Sequence, residues 1–378
     1  MGYNDELAPL RQKINDIYTQ MIALFEARMA TAEGIADVKK KYGKDVFDAK
    51  RENIVIERAL SLLENKGLSD ETRSFLRAMM DISKKHQHKA MPVPPAKPFT
   101  NNADTAVGYL GLPGSFSHIA ASQAFGDSAA LRNLPTFEAI FEAMKSGEIS
   151  YAILPSENTE TGSVTAVVDL LAKYGYFIVA ETLLPVSHSL LGMPGASLDD
   201  IKTVHSHPQP LAQCRTFLTQ HPAINTYPSL STAQAAQYVA ALGDKSVGCI
   251  ASSEAAAIYG LEVLRADIQN NDNNCTRFVI IAKSPRNDES CDKTSIVFMV
   301  AHRPGSLFKI LKAFYDGGIN ILKLESRPIQ DRPFEYMFHL DFEGSIADAN
   351  VAQTIENMQE NLTGYIYLGS YPREKMII

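Results

Sequence analysis

Tryptophan is absent from this sequence, and its four cysteines, Cys214, Cys249, Cys275 and Cys291, are scattered without a CxxC pair. That spacing suggests neither a zinc site nor a disulfide framework, so reduced and mostly buried thiols are expected. Positive charge is in short supply: 36 Lys and Arg stand against 43 Asp and Glu, a net charge of -7. Nucleic-acid binding lacks its electrostatic footprint, and a local cluster of Arg or Lys must serve something smaller, such as an organic anion. Long apolar runs are missing, and the start MGYNDELAPL has neither an apolar signal core nor a Ser or Thr at position 6 for myristoylation. A cytoplasmic protein with no membrane partner, no nucleic acid, no cofactor and no metal is expected.

The remainder is ordinary globular composition, 45% hydrophobic and 21% charged, long enough for two or three domains. Residues 1 to about 90 show no strand signal, and AMPVPPAKPFTNNAD is a stiff, polar connector. From Ala106 to Ala282, strand-like runs (AVGYL, YAIL, YFIVAETLL, SVGCI, RFVII) alternate with helical patterns, which predicts an α/β domain. After the polar stretch KSPRNDESCDK, the tail from Thr294 reads strand, helix, strand, strand, helix, strand, a ferredoxin-like βαββαβ order. The expected division is residues 1–92, 105–285 and 293–378.

The first helix is expected from Leu7 to Tyr42, stopping at Gly43. Leu7, Leu10, Ile14, Ile17, Met21, Leu24, Ile35 and Val38 form a heptad seam that asks for a partner helix. Arg28 and Thr31 interrupt it, and a charge on a packing seam is costly unless it snorkels out or an anion meets it. Lys39 lies about three turns on, projecting from nearly the same face as Arg28, whereas Arg11 lies roughly a quarter turn off it. Asp48 and Glu52 share a helix face, as do Ser83 and Gln87. The stretches LRQKINDIYTQMIALFEARM, VKKK, DAKRE and SKKHQ resemble the AroQ-type chorismate mutase domain. The resemblance implies an all-α domain in an interlocked dimer. Arg28 and a partner subunit's Arg11 would hold the two carboxylates of chorismate, Lys39 and Gln87 would face the ether oxygen, and Asp48, Arg51, Glu52 and Ser83 would line the ring-hydroxyl side. A Claisen rearrangement suits such a site, since it needs compact folding of the substrate and donors aimed at developing charge.

In the middle segment the turn GLPGSFSH leads into a helix that Ser115 or Ser117 can cap, a possible anion site without GxGxxG or a P-loop lysine. SENTETGSV and SHPQPLAQC supply further polar turns, and His205 and His207 fit a capped helix start better than a metal pair. NNDNNCTRFVIIA runs from a turn straight into an apolar strand, which places Thr276 and Arg277 at its mouth. GLPGSFSH, LPSENTETGSV, VHSHPQPLAQC and TRF together resemble prephenate dehydratase, with Cys275 where relatives often carry an aromatic residue. The implied fold has two α/β lobes like a periplasmic binding protein, with the substrate between them. Thr276 would assist departure of the ring hydroxyl and Arg277 would orient a carboxylate, with Ser115, Glu157, Asn158, Thr159 and Phe278 also at the substrate.

The tail GSLFKILKAFYDGGINILKLESRPI resembles the ACT regulatory domain, with Ser306 replacing a common Ala. The resemblance implies L-phenylalanine as allosteric inhibitor at Gly305, Leu307, Asn320, Glu325, Ser326, Arg327 and Pro328, between two tails of a homodimer or higher homo-oligomer. Taken together, the three segments resemble a bifunctional chorismate mutase/prephenate dehydratase, implying that chorismate becomes prephenate and prephenate becomes phenylpyruvate in phenylalanine biosynthesis. Two other readings stay open at this point: a non-catalytic amino-acid sensor, and a single-activity dehydratase whose helical segment serves as a dimeriser.

Overall fold

The computed structural model describes residues 3–41, 49–89, 105–126, 129–286, 288–329, 336–359 and 361–374. Helix α1 (Tyr3–Lys41) begins one turn before the expected Leu7, with Glu6 in a first turn that favours negative charge. The expected stop at Gly43 lies outside the described residues. Helices α2 (Ala49–Ser61) and α3 (Ser69–Lys89) pack with α1 into a bundle that buries Ala32, Ile56, Met80 and Ser83. The seam residues Leu10, Ile14, Ile17, Met21 and Leu24 stay exposed in the single chain. At about 2 kcal/mol per large apolar side chain, leaving these five in water forgoes roughly 10 kcal/mol of burial before entropy is counted.

An α/β domain follows in two lobes. The first runs β1 (Ala106–Leu110), α4 (Phe116–Phe125), β2 (Ala130–Leu134), α5 (Phe137–Ser146), β3 (Tyr151–Asn158), β4 (Gly162–Ser163), α6 (Thr165–Tyr174) and β5 (Phe177–Pro185). The second holds β6 (Ser189–Gly192), β7 (Thr203–Ser206), α7 (Pro208–Gln213), α8 (Arg215–Gln220), β8 (Asn225–Pro228), α9 (Thr232–Leu242), β9 (Val247–Ala251), α10 (Ser253–Tyr259) and β10 (Glu262–Arg265). The chain then returns as β11 (Cys275–Ala282), which enters the first sheet antiparallel between β3 and β5. Among the described residues, the first sheet is ordered β2-β1-β3-β11-β5, with β4 paired to β3, and the second β10-β6-β9-β7-β8. The two crossings between lobes run side by side, with Val186 N–H donating to Asn274 O at 2.8 Å and Ile268 N–H to His188 O at 2.9 Å.

Strand β11 is covered on both faces, which is why FVIIA reads as a continuous apolar run rather than an alternation. Phe278 and Ile280 pack with Val107, Ile119 and Phe125, while Val279 and Ile281 pack with Ile140, Leu171 and Tyr371. Tyr371 belongs to the tail, so the first-lobe core continues into the third unit.

That unit has the expected βαββαβ order: β12 (Lys293–Val300), α11 (Ser306–Asp316), β13 (Ile321–Pro328), β14 (Tyr336–Glu343), α12 (Ala349–Gln359) and β15 (Leu362–Tyr371). Its antiparallel sheet is ordered β13-β14-β12-β15, and Ile310, Phe314, Val351 and Met358 from the helices pack on Ile296, Phe298, Leu340 and Phe342. β15 lies against β5 of the first lobe. Gly369, at φ +136°, makes this approach possible, because a Cβ there would collide with the Ile178 carbonyl oxygen. Lys293, expected at the end of a polar linker, instead starts β12 and is 1% exposed.

Candidate active site

Thr276 is the second residue of a strand held on both sides, opposite Asn158 on β3 and Leu184 on β5. Asn158 ends β3 in a side-chain turn: its Oδ1 accepts the N–H groups of Glu160 at 3.0 Å and Thr161 at 3.1 Å. Those two donors fix which way the amide faces. Nδ2 is left pointing at β11, where it donates to Thr276 Oγ1 at 2.9 Å and Asn274 Oδ1 at 2.7 Å. The Thr276 oxygen therefore already accepts a hydrogen bond, and its own proton is the one left to offer to a ligand.

Two buried polar atoms near the lobe crossings, Asn274 Nδ2 and His188 Nδ1, have no hydrogen-bond partner among the described residues. An unmade buried hydrogen bond costs about 1–3 kcal/mol, so such atoms mark where a ligand or water completes the site. His188 Nε2 lies 2.8 Å from Gln213 Oε1, and Gln213 Nε2 donates to Glu160 Oε2 at 2.6 Å. This chain joins the second lobe to the first and makes Nε2 the protonated nitrogen of His188. Burial, only partly offset by Gln213 and Glu160, lowers the His188 pKa, which leaves Nδ1 as an acceptor on a neutral ring. The ring stands edge-on to Phe116, 5.6 Å between centroids, at the start of α4. Sequence reading missed both residues; the signal was the run of polar residues in the two crossing segments.

Ser115, as expected, caps α4: its Oγ accepts the His118 N–H and donates to Leu110 O, both at 3.3 Å. Thr159 holds the mouth of β11, exchanging backbone and side-chain hydrogen bonds with Cys275 at 3.0 Å. Ser252 Oγ donates to Gly114 O at 3.1 Å and Tyr259 OH to Pro113 O at 2.8 Å, which fastens the glycine turn to the second lobe. His207 caps α7 while His205 stacks on Tyr227, so the two do not converge. Among the described residues no group of three His, Cys, Asp or Glu could hold a metal ion.

Three expected substrate residues are placed elsewhere. Successive residues of a strand face opposite sides of the sheet, so Arg277 points away from Thr276. There its Nη1 lies 3.1 Å from Glu157 Oε2 and 3.8 Å from Asp341 Oδ2, and its Nε lies 3.8 Å from Glu181 Oε2. Lys293 Nζ joins this cluster at 2.7 Å from Glu181 Oε2 and 3.5 Å from Asp341 Oδ2. Burial pulls the Arg277 pKa down, but Glu181, Glu157 and Asp341 outweigh it and the net shift is upward. Burial likewise pushes Asp341 up, yet His339, Lys293 and the Ser295 hydroxyl hold it well below the usual carboxylate range. Arg277 and Glu157 thus face the tail, not the cleft, and Phe278 is a core side chain, 1% exposed.

In the helical segment, Arg28 is half-buried, with its Nη1 3.5 Å from Met79 O, one turn before the buried Ser83. Burial lowers its pKa. Arg11 is exposed and, seventeen residues earlier on the same helix, stands about 25 Å from Arg28 along the axis. One chain does not bring these two together. Asp48 lies outside the described residues, as do the side chains of Lys39, Arg51, Glu52 and Gln87.

In the tail, Gly305 precedes α11 at φ +81°, Leu307 packs against the tail core, and Asn320 O accepts the Glu343 N–H at 3.0 Å. Ser326 and Pro328 are on the exposed face of β13, while Arg327 reaches Asp169 of α6 at 3.0 Å and Glu325 lies 3.6 Å from Lys323.

Family models match residues 10–88 as chorismate mutase type II, 107–286 as prephenate dehydratase and 294–358 as ACT domain. The chain is 31% identical over 378 residues to a bifunctional chorismate mutase/prephenate dehydratase of Aquifex aeolicus, covering 98% of each chain. It is 38% identical over 330 residues to an arogenate dehydratase/prephenate dehydratase of Arabidopsis thaliana, covering 82% of each. A solved prephenate dehydratase from Arthrobacter aurescens, in complex with L-Phe, superposes with a TM-score of 0.65 at 30% identity over 71% of this chain and 90% of that one.

Proposed function

Because the chain belongs to the bifunctional chorismate mutase/prephenate dehydratase family, we propose a division of labour in which residues 1–92 rearrange chorismate, 105–285 dehydrate prephenate, and 293–378 sense phenylalanine. The protein converts chorismate to prephenate and prephenate to phenylpyruvate, and phenylalanine inhibits it by feedback.

The observation that carries the dehydratase assignment is the Asn158 Nδ2 to Thr276 Oγ1 hydrogen bond of 2.9 Å. It occupies one of the threonine's lone pairs and aims its donor. As the carboxylate on the quaternary ring carbon leaves as carbon dioxide, its bonding electron pair enters the ring. The ring hydroxyl departs from the opposite carbon, taking up a proton to leave as water. Thr276 donates a hydrogen bond to that oxygen as negative charge builds on it, a contribution of roughly 2.7–4 kcal/mol for a well-placed donor. With Arg277 committed to carboxylates, anion binding falls to Asn274 Nδ2 and the first turn of α4, and His188 Nδ1 accepts from the substrate.

For the mutase, Arg28 and Ser83 are assigned to the chorismate site together with Lys39, Asp48, Arg51, Glu52 and Gln87. The roughly 25 Å between Arg11 and Arg28 is the reason to assign Arg11 to the site of a second copy, whose α1 covers the exposed seam from Leu10 to Leu24. A homodimer or higher homo-oligomer follows. A cytoplasmic location is part of the same reading, supported by four buried, unpaired cysteines; among the described residues no helix is long and apolar enough to cross a membrane.

The test gives purified protein chorismate alone and follows its disappearance and the appearance of phenylpyruvate, with and without phenylalanine. Phenylpyruvate formation suppressed by phenylalanine is expected. Accumulating prephenate would overturn the Thr276 assignment, and no consumption of chorismate would overturn that of the helical segment.

A further inference from the structure

The pair that carries dehydration has a second pair directly beneath it. Strand register sets Thr276 opposite Asn158 and, one residue on in β11, Arg277 opposite Glu157. On one face the two strands share the Asn158–Thr276 hydrogen bond, and on the other the Arg277–Glu157 ion pair at 3.1 Å. Glu157 is also paired in register with Ser163 across the β3–β4 hairpin, whose tip begins at Asn158. On this second face the tail places Asp341 beside Arg277 and Lys323 beside Glu157. Lys323 on β13 donates to Ser163 Oγ at 2.6 Å and lies 3.7 Å from Glu157 Oε2, with its side chain only 13% exposed.

We infer that Lys323 is a positioning residue for the dehydratase, holding Glu157 and Ser163 so that the hairpin keeps Asn158 in reach of Thr276. The inference rests on the assignment of Thr276 as the hydroxyl that assists dehydration. Lys323 touches no reacting atom; it acts through Glu157. The lever is short, since Glu157 and Asn158 are consecutive residues of a stiff, paired strand, and a shift on one face moves the other. A misplacement of 1 Å at a reacting group can cost about a hundredfold in rate, so a looser hairpin costs on the order of tenfold. Lys323 also stands on the strand that carries Glu325 and Arg327, so whatever the tail binds at that segment pulls on the same connection.

The experiment compares the full chain with Lys323→Met, Lys323→Arg, Glu157→Gln and the Lys323→Met/Glu157→Gln double variant, measuring kcat and KM for prephenate and, as a check on folding, chorismate turnover. Lys323→Met is expected to lower the dehydratase kcat about tenfold with KM within twofold and chorismate turnover unchanged. Lys323→Arg, which restores the cation, should recover to within threefold of the parent chain. On the Glu157→Gln background Lys323→Met should add less than twofold, because both act on one connection. The inference is overturned if Lys323→Met keeps its kcat within twofold, if Lys323→Arg is as slow as Lys323→Met, or if the two losses multiply in the double variant. A parent chain that does not turn over prephenate would instead overturn the Thr276 assignment beneath it.

Discussion

Lys293→Met isolates a charge from its packing. Lys293 is 1% exposed, with its ammonium 2.7 Å from Glu181 Oε2, 3.5 Å from Asp341 Oδ2 and 5.4 Å from the ring centre of Tyr371. Methionine has nearly the same length and shape, so the substitution removes the charge and leaves the volume filled. Within the seam between the tail and the first lobe, Arg277 and Lys293 face Glu157, Glu181 and Asp341, with Lys323 completing the balance at Glu157. After the substitution Glu181 keeps, among the described residues, the Arg277 guanidinium at 3.8 Å as its cation and the Glu374 N–H at 3.2 Å as a donor. Removing one side of a buried ion pair costs about 3–5 kcal/mol. For a unit of this size that corresponds to a midpoint lowered by roughly 10 °C. Far-UV circular dichroism is the assay, since the chain has no tryptophan. The paired variant Lys293→Met/Glu181→Leu restores the balance of charge and should regain at least half of the loss. A single variant within about 1 kcal/mol of the parent, or a paired variant less stable than the single one, would refute the reasoning that charge balance holds the seam.

Thr276→Val keeps the shape of the side chain and removes its donor, so the prephenate kcat should fall by about 10² to 10³ while chorismate is still consumed; Thr276→Ser should stay within tenfold. Arg28→Ala should lower kcat/KM for chorismate by a similar factor and leave prephenate turnover unchanged, and an equal loss in both activities would contradict the assignment. Asp341 has a folded pKa below the carboxylate range, so its contribution is complete above about pH 4 and is lost as pH falls below that value. The stability gap between the parent and Asp341→Asn, measured by urea unfolding, should therefore be widest near pH 7 and narrow below about pH 4; a gap that stays constant down to pH 3 would show that Asp341 is not held ionised by folding. Gly369→Ala sets a Cβ against the Ile178 carbonyl at a φ that L residues avoid, and should cost at least about 2 kcal/mol by the same unfolding measurement.

Much of this architecture is legible in the sequence because the hydrophobic period changes where the elements do. The alternation of strands and helices from Ala106 to Ala282, the βαββαβ tail, and Thr276 at the mouth of an apolar strand all follow from local pattern. What faces what is less legible. Thr276, Arg277 and Phe278 read as one motif, yet the pleat sends Arg277 to the tail, and the strand's apolar face takes Phe278 into the core. Nothing near Arg277 announces that its partner Asp341 lies sixty-four residues further on. Lys293 is misread for the same reason: its neighbours in the chain are polar, and its burial depends on Glu181, in another domain. Asn274 and His188 look like ordinary loop residues until the two crossings are seen side by side.

The return of β11 to the first lobe has a consequence for the order in which the protein is made. Residues 105–185 leave the ribosome with a sheet that lacks the strand between β3 and β5, and about ninety more residues are synthesised before that strand arrives. Until then Asn158 has no Thr276 to meet, and the first lobe exposes two unpaired strand edges that would otherwise take up β11. The second lobe is folded into the first as an insertion, so a gene break or fusion point placed between the lobes would yield two pieces, neither of which contains the site.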